Sequence, residues 1–424
     1  MSLIVEFGML FGASVPSGVF VIGSATQGII GTNTIGAFNV LADYSGREME
    51  LAVDHQGDRT NGPLVTYGAR TCTIKLLNMD GLLDPYNIEA LGLSAPGILM
   101  RIRKPWNGTI YPVFYGYVDS WLPNAESPEL GTVTVTATDG FGLLNQPLAQ
   151  LGSPIGPGDL VSTRVGLLLD ALNWPAAQRS IGTTTSTLQQ TSYGAAGLSL
   201  IQDAVKSEVG EFYQQPDGVM YLRGRHAMTT DSRSNTSQAT FGSNRGGGEI
   251  PYVGRPVTAW DRQTLHTEVD AMIDGGSNLQ VATNPASFAR YGRLAVEETS
   301  LTLPNDADAL SWANYVLAQD SVPRFRFSAI TLSSRIEQLG ISVMPHMLGR
   351  VFGDRVTVVR RPPAETYGSI VDSRAMLIQG INHTWSAKTK EWQTTWTLAP
   401  AASVPFFVIG SSTQGVIGSN VIAW

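Results

Sequence analysis

Apolar and polar residues alternate through two parts of this chain, and such alternation is typical of β-strands with one buried face. The segment Gly131–Thr138, GTVTVTAT, shows the pattern clearly, because Val133, Val135 and Ala137 fall on one face. The other predicted strands share this alternation: 69–77, 98–102, 111–121, 324–333, 355–361, 376–385 and 391–398. Short strands separated by turns predict a barrel or a sandwich in each part.

Between the two strand-rich parts, the apolar period changes to that of amphipathic helices. The first predicted helix is VGLLLDAL, residues 165–172, which Ser162-Thr163 precede and Trp174-Pro175 end. The second is predicted to begin at Ser199, because Gln202 stands at the spacing of a capping box. A third helix, from the N-cap Asn305 to Asp320, precedes the last strands.

The order of these elements predicts a β-rich α+β protein with an α+β middle region. In that region QPDG, residues 215–218, predicts the turn of a β-hairpin, and the polar stretch 229–250 predicts a loop or linker. A chain of 424 residues is too long for one compact core, so several domains are expected. The predicted division is a glycine-rich N-terminal arm at 1–58, a first β-barrel at 59–150, an α+β domain at 151–250, a second β-barrel-like domain with one helix at 251–400, and a glycine-rich C-terminal arm at 401–424.

The two ends of the chain carry nearly the same peptide. FVIGSATQGIIGTN at Phe20–Asn33 and FVIGSSTQGVIGSN at Phe407–Asn420 differ at three of 14 positions. Their glycines do not form a phosphate-binding loop, because no Lys-Ser/Thr follows either copy. Two interpretations stay open: each copy docks on a partner by adding an edge strand or turn, or the copies pair with each other or pack on their own chain. The candidate docking residues recur in both copies: Phe20, Val21, Ile22, Gln27, Ile30, Asn33, Phe407, Val408, Ile409, Gln414, Ile417 and Asn420.

Composition narrows the classes of function. Charged residues make up 15% of the chain and the net charge is −7, with no Lys/Arg block, which argues against specific phosphate-mediated binding of nucleic acid. The single cysteine, Cys72, cannot form an intrachain disulfide and is predicted to be buried in a strand. No membrane span is predicted, since no run reaches about 18 uncharged apolar residues. The apolar start lacks the basic region of a signal peptide, so folding in a reducing cytosol is expected.

Candidate chemistry is sparse, and no catalytic, cofactor or metal site is predicted. None of the five histidines stands in a close metal-binding spacing. Asp119 and Asp139 each end a predicted strand, where aspartates usually bond turn backbone. A carboxylate pair of the glycoside hydrolase kind is the alternative for these two residues.

The run RTCTIKLLNMDGLLDPYN, residues 70–87, contains a turn motif of the form Asn-x-Asp-Gly-x-x-Asp-Pro. Its residues are Asn78, Asp80, Gly81, Asp84 and Pro85. The oxygen ligands have a spacing that a calcium loop could use, but the third acidic position and the distal Glu of an EF-hand are missing. An Asx-turn between two strands is therefore the favoured interpretation.

This run, followed by GILMRIRKPWNGTIYPVFYGYVDSW and GTVTVTATDGFGLL, resembles the minor tail proteins of siphophages that infect actinobacteria. In that family the same turn precedes a Gly-Tyr-x-Asp strand and a Thr-Val-Thr-x-x-Asp strand. Gly116, Tyr117 and Asp119 match the first strand, and Asp139 matches the second. The likeness covers about 60–400, while the glycine-rich copy in the first 58 residues departs from it.

The resemblance implies a baseplate or tail-tip hub, built of two related, tail-tube-like β-barrels with an α+β insertion and assembled as a homotrimer. Such a hub closes the tail tube, adapts six-fold to three-fold symmetry and anchors distal tail, fibre or other minor tail proteins. Its neighbours are the distal tail protein ring and the tail tube or tape measure. It is not an enzyme, assembles in the host cytoplasm, lies at the virion tail tip and lets DNA pass without binding it specifically. A trimer with two repeat copies per chain presents six equivalent peptides, which matches a six-fold ring.

Two other functions stay as alternatives. The first is a tail-associated cell-wall hydrolase that uses Asp119, Asp139 or other carboxylates. The second is a carbohydrate-binding tip protein whose exposed aromatic rings stack on sugars. The aromatic candidates are Trp106, Trp121, Trp260 and Trp392. Aromatic residues in alternating strands usually belong to the core, which argues against the second alternative.

Overall fold

The computed structural model of the chain describes residues 3–10, 42–58, 64–90, 97–125, 131–148, 156–191, 195–244, 247–259, 265–323, 325–361 and 371–401. Strands dominate this part of the chain, and in order they are β1 (Ile4–Leu10), β2 (Ala42–Asp43), β3 (Glu48–Asp58), β4 (Thr66–Tyr67), β5 (Thr71–Leu77), β6 (Ile98–Trp106), β7 (Thr109–Ala125), β8 (Gly131–Thr138), β9 (Asp159–Leu160), β10 (Arg179–Ile181), β11 (Thr187–Leu188), β12 (Glu211–Gln214), β13 (Met220–Arg223), β14 (Thr240–Phe241), β15 (Val253–Ala259), β16 (Glu268–Ile273), β17 (Gln280–Thr283), β18 (Ala295–Leu301), β19 (Arg326–Ser333), β20 (Arg355–Arg360), β21 (Asp372–Ser386) and β22 (Glu391–Pro400). The helices are α1 (Pro85–Ala90), α2 (Phe141–Leu144), α3 (Val161–Ala171), α4 (Gly197–Glu208), α5 (Ala227–Thr230), α6 (Ser232–Asn235), α7 (Pro285–Tyr291), α8 (Asp306–Asp320) and α9 (Met344–Gly349).

One large sheet joins the two strand-rich parts of the chain. Its antiparallel strand path is β15-β19-β22-β21-β3-β5-β8-β7-β6-β1-β2, and the short strands β4, β14 and β20 attach beside it. The parts meet where β21 pairs with β3, from Gly380 opposite Gln56 to Ser386 opposite Glu50. Within the described residues the path is open at both ends, so the two predicted barrels stay a prediction. The β-rich α+β class is confirmed.

The large sheet consists of two halves with the same strand order. We define the N-terminal half-sheet as β3-β5-β8-β7-β6 and the C-terminal half-sheet as β15-β19-β22-β21-β20. In each half the first strand pairs with the second, the second with the fifth, the fifth with the fourth and the fourth with the third. Each fourth strand has a register shift at an equivalent place, between Val118 and Ser120 in β7 and between Ile378 and Gly380 in β21. Each half also has a helix between its second and third strands, α1 or α9.

Alternation within the strands builds the core that both halves share. Along β5, Cys72, Ile74 and Leu76 are buried, while the residues between them face outward. In the C-terminal half-sheet the fully buried Trp396 packs edge-on against Phe241, with ring centroids 5.1 Å apart. Burying one large apolar side chain stabilises a fold by about 1.5–3 kcal/mol. The predicted buried position of Cys72 is confirmed, and burial raises the pKa of its thiol.

Two smaller units pack beside the large sheet. In the middle region, α3 and α4 cover a core that includes Phe141, Trp174 and Met220, and the predicted hairpin is confirmed as β12 and β13. Further along, the sheet β17-β16-β18 lies against α8, whose inward residues include Trp312 and Val316. In the described residues no helix has the length and apolar character needed to cross a membrane.

Two of the predicted helix starts can be compared with the structure. Asn305 is the N-cap of α8, because its Oδ1 accepts the Asp308 N–H at 3.0 Å, as expected. The capping box at Ser199 is wrong. Helix α4 begins at Gly197 with Ala196 as its N-cap and without a side-chain cap, so Ser199 lies inside the first turn.

The stretch 229–250, predicted as a loop or linker, is largely irregular as a loop is, but it is not a free linker. This stretch contains α6 and β14, and β14 pairs in parallel with β20, Thr240 opposite Thr357. Arg233 Nε donates to Asp354 Oδ1 at 2.6 Å, and Ser234 Oγ donates to the Gly353 carbonyl at 2.7 Å. The segment is polar because its side chains bond to the sheet. Within the predicted arm at 1–58, β1 and β3 belong to the large sheet, and the domain boundaries stay predictions.

Candidate assembly surfaces

One face of the large sheet is polar and lies opposite the core. The outward residues of β5 are Thr71, Thr73 and Lys75, and hydroxyl side chains continue this polar face on β8. The hydroxyls bond between strands, as where Ser120 Oγ lies 2.6 Å from Thr136 Oγ1. Cross-strand pairs of this kind each stabilise a sheet by about 0.2–1 kcal/mol. The polar face is therefore held by its own side chains.

A groove of about 480 Å³ lies on the polar face near the hairpin that joins β21 to β22. Its charged lining residues carry both signs, since Glu50 and Glu391 are acidic and Lys75 is basic. Hydrogen bonds from Gln393 and Ser333 lower the pKa of the Glu391 carboxyl, so it is ionised at neutral pH. A hydroxyl-rich surface of mixed charge lacks the excess of cations that binds phosphates strongly.

The motif turn, Asn78–Asn87, connects β5 to α1 through side-chain hydrogen bonds. Asn78 Oδ1 accepts the Leu83 N–H at 2.9 Å, and Asn78 Nδ2 donates to Asp84 Oδ1 at 3.1 Å. Asp80 Oδ1 accepts the Leu82 N–H at 3.3 Å, which is an Asx-turn, and that interpretation is confirmed. The other two residues of the family motif shape the backbone of the turn. Gly81 adopts a left-handed φ of 70°, and Pro85 is the first residue of α1.

Arg47 forms a salt bridge with Asp80, the exposed acidic residue of the motif turn. Its Nη1 donates to Asp80 Oδ1 at 2.7 Å, and this bond lowers the pKa of Asp80 to about 2. The calcium alternative for the turn gains no support, because the described residues contain no group of three or more His, Cys, Asp or Glu placed around a metal. Asp84 is instead engaged by the Asn78 amide.

The motif turn presents apolar side chains to solvent. Met79 is 63% exposed, Leu82 is 44% exposed and Tyr86 is 85% exposed. Leu83 is fully buried beneath them, and its carbonyl accepts the Trp121 Nε1–H at 2.8 Å. Exposed large apolar side chains on an ordered turn are typical of a contact surface. Sequence reasoning identified the turn but not these contact residues.

Comparison with known proteins identifies the fold. No family model and no curated protein matches the sequence. Among solved structures, the chain is similar to the tail protein from Neisseria meningitidis MC58, at 16% identity over 84% of this chain and 93% of that one, with a TM-score of 0.55. It is also similar to the 43 kDa tail protein of prophage MuSo2 from Shewanella oneidensis, at 12% identity over 95% and 98% of the two chains, with a TM-score of 0.53. The chain has the fold of a phage tail protein. The predicted resemblance is confirmed at this level, and the actinobacterial type stays a prediction.

In this tail-protein fold, the repeat copies attach near opposite ends of the strand path. The candidate docking residues, at 20–33 and 407–420, lie outside the described residues, so both interpretations of the repeats stay predictions. The first copy stands in the chain between β1 and β2, at one end of the path. The second copy follows β22, the third strand from the other end.

The two candidate catalytic carboxylates lie in different environments of the tail-protein fold. Asp139 is 1% exposed, and its oxygens accept the Arg70 N–H at 2.9 Å and the Phe141 N–H at 3.1 Å. Burial raises the pKa of Asp139 to about 7. Asp119 is exposed and accepts the Thr138 hydroxyl at 2.5 Å. Asp139 therefore bonds turn backbone, as expected, and its burial argues against a role in substrate hydrolysis.

A buried polar pair beside Asp139 was not predicted. Arg70 is 4% exposed, and its Nε donates to His55 Nδ1 at 3.1 Å. His55 Nε2 in turn lies 3.0 Å from the Gly68 carbonyl, so the ring is the neutral tautomer with the proton on Nε2. Burial is the main cause that lowers the pKa of Arg70 to about 10 and holds the pKa of His55 well below its usual value. No sequence pattern marks this pair, because its members belong to β3 and to the loop before β5.

The tryptophans proposed to stack on sugars are mostly core residues. Trp392 is fully buried, which contradicts its proposed exposure, and its Nε1 donates to His383 Nδ1 at 3.3 Å. Trp121 is half-buried against Phe7, with ring centroids 4.9 Å apart. Trp106 is partly buried and packs on the same core. Trp260 lies outside the described residues. The carbohydrate-binding alternative therefore has no exposed aromatic platform among the three described tryptophans.

Proposed function

We propose that this chain is a baseplate hub of a phage tail tip. It closes the tail tube, adapts six-fold to three-fold symmetry and anchors distal tail or fibre proteins for host attachment and DNA delivery. The observation that carries this proposal is the repeated strand order of the two half-sheets. Three copies of a chain with two equivalent units present six such units around one axis, while the assembly itself keeps three-fold symmetry.

The polar face suits the wall of the channel through which DNA passes. Proteins that hold DNA do so largely through Lys and Arg contacts to phosphates, and each contact adds affinity. The groove on the polar face instead combines Glu50 and Glu391 with Lys75 and many hydroxyl groups. Such a wall stays hydrated and does not retain the phosphate backbone. We therefore place the polar face toward the lumen and the shared core away from it.

Docking of distal proteins is proposed for the terminal repeats. One copy attaches near each end of the strand path, so six copies in a trimer are distributed around the ring. Partners with six-fold symmetry, such as a distal tail protein ring, match that number. Deletion of Phe407–Trp424 is expected to leave a folded trimer that does not join tails. Normal tails assembled with this deletion would contradict the docking role.

Two measurements on the purified chain test the proposed function. Light scattering is expected to give the mass of three 45.4 kDa chains. Addition to purified host cell walls is expected to leave their turbidity unchanged. A monomer at every concentration would contradict the hub, and clearing of the walls would favour the hydrolase alternative.

A further inference from the structure

The two half-sheets are joined inside one chain by the pairing of β21 with β3. The same kind of strand pairing could join separate copies of the chain. In this joint, the last part of β21, the fourth strand of its half, pairs with β3, the first strand of the other half. Asn382 stands opposite Asp54, and its Nδ2 donates to Asp54 Oδ1 at 3.1 Å. Because both halves have the same strand order, the joint has an equivalent pair of strands, β15 and the last part of β7, which are not paired with each other in the described part of the chain.

In the described part of the chain, each of these equivalent strands has an open edge. β15 is the first strand of the C-terminal half-sheet, and in the described residues it pairs with β19 alone. β7 is the fourth strand of the N-terminal half-sheet. Its pairing with β6 ends at Tyr117, so among the described strands its last part pairs with β8 alone. Among the described strands, one joint is thus made and the equivalent one is not.

We infer that copies of this chain join head-to-tail by making the second joint, with β15 of one copy antiparallel to the last part of β7 of the next copy. This inference rests on the ring of copies in the proposed function and names its interface. A head-to-tail contact of this kind closes into a ring when its rotation allows. Strand pairing supplies main-chain hydrogen bonds, which make edges effective contact sites.

The register of the new joint follows from the two halves. Asn124 stands four residues after Ser120, just as Thr384 stands four residues after Gly380, and both follow the equivalent register shifts. On the partner side, Val257 pairs with Ala329 of β19 at the place where Ala52 pairs with Thr73 of β5. Since Thr384 stands opposite Ala52 within the chain, Asn124 of one copy stands opposite Val257 of the next.

Both open edges carry exposed apolar side chains that this contact covers. Leu122 is 58% exposed on β7, while Val257 is 57% exposed and Val253 is 44% exposed on β15. Each edge also carries a proline, Pro123 or Pro256, which removes one main-chain donor and so limits the registers in which the edge pairs well. The edges are therefore apolar enough to associate and restricted enough to select one register.

The connections between the second and third strands, which contain α1 or α9, fit the same arrangement. Inside the chain, α9 of the C-terminal half-sheet packs against β6 and β7 of the N-terminal half-sheet. The equivalent connection is the motif turn with α1, whose Met79, Leu82 and Tyr86 are exposed. In the head-to-tail arrangement this turn meets β20 and β21 of the next copy, which is the copy that supplies β15. One contact between copies thus covers both the open edges and the motif turn.

Cysteine pairing tests the register directly. The full chain with Asn124→Cys and Val257→Cys is oxidised and separated on a non-reducing gel, where linked dimers and trimers are expected. Directly opposite residues on antiparallel strands have the Cβ separation that a disulfide requires. The native Cys72 is buried and does not compete. The matched control carries Asn124→Cys and Thr283→Cys, because Thr283 is also an exposed strand residue, and no linked species are expected.

Charge substitution provides a second test that needs no oxidation. Leu122→Asp with Val257→Asp is expected to weaken self-association about ten-fold or more. Since both positions are exposed, the melting temperature at low protein concentration, where copies are apart, should stay unchanged. Val281→Asp, at a valine that is 48% exposed on β17, is the control and leaves association unchanged. A trimer that neither forms the disulfide nor responds to these charges would overturn the interface while the proposed hub stands. A chain that stays monomeric in every variant would overturn the interface and count against the hub as well.

Discussion

The two half-sheets share a strand order and differ in what connects their second and third strands. In the C-terminal half-sheet this connection ends in α9, whose Met344 and Met347 are fully buried. In the N-terminal half-sheet it is the motif turn, where Met79 and Tyr86 face solvent. The strand framework is thus the repeated unit. The buried connection packs against the other half-sheet of its own chain, and in the proposed head-to-tail arrangement the exposed connection packs against the next copy.

The largest expected effect comes from equivalent core positions on the fifth strands. Trp396 of β22 and Val135 of β8 are both fully buried, and each pairs with the fourth strand of its half. Trp396→Ala should destabilise the protein by about 3–5 kcal/mol because it leaves a large cavity. Val135→Ala removes two buried methyl groups and should lower the free energy of unfolding by about half as much. Urea unfolding of both variants checks this order, and equal losses would contradict it.

The two connections should differ sharply in their response to truncation. Met347→Ala removes a fully buried side chain and should cost about 2–5 kcal/mol. Tyr86→Ala removes a side chain that is 85% exposed and should change stability by less than about 0.5 kcal/mol. Thermal unfolding at low protein concentration, where copies are apart, measures both effects. A large loss for Tyr86→Ala would show that the motif turn already packs within its own chain.

Asp139 ends the fifth strand of the N-terminal half-sheet, and its carboxyl makes stability depend on pH. Burial raises its pKa in the folded state to about 7, above the value near 3.8 of the unfolded chain. The stabilising effect of the protonated carboxyl is therefore complete below about pH 4 and is lost as the pH rises through about 7. Asp139→Asn should cost about 1–3 kcal/mol at pH 4–5, and this loss should shrink toward pH 8. A loss that is independent of pH would contradict the raised pKa.

Among substitutions that remove a hydrogen-bonding side chain, the smallest effects are expected at the start of the two connections. Asn78 makes two hydrogen bonds in the motif turn, while Ser334 Oγ accepts the Trp392 N–H at 2.9 Å at the equivalent place. Asn78→Ala and Ser334→Ala should each cost about 1–2 kcal/mol. Hydrogen exchange should show that the loss in Asn78→Ala is confined to the motif turn. Faster exchange throughout β5 and β8 would mean that the turn supports the sheet and is not an independent surface.

The strands were predictable where one face is buried. Gly131–Thr138 matches its predicted bounds, because apolar residues occupy every second position and the others are mostly threonine. β15 was missed since Gly254 and Pro256 interrupt its pattern. The sheet β17-β16-β18 was missed because Glu268 and Asp270 are buried on its central strand, where acidic residues are unusual.

Pairing between distant strands has no local signal in the sequence. The joint of β3 with β21 links residues more than 300 positions apart, as the Asn382–Asp54 bond shows. The duplication is equally hidden, since equivalent positions hold residues as different as Val135 and Trp396. The motif turn could be located from Asn78, Asp80 and the residues around them. Its role as a surface could not, because exposure depends on the packing of the whole fold.

Cryo-electron microscopy of assembled tails tests the central claim most directly. The account predicts a tip in which three copies of this chain surround the channel, with six half-sheets in one ring and the hydroxyl-rich face, including Thr73 and Lys75, toward the lumen. β15 of each copy is expected to lie beside β7 of the next. Absence of the chain from the tip, or a ring in which these edges face solvent, would contradict the account.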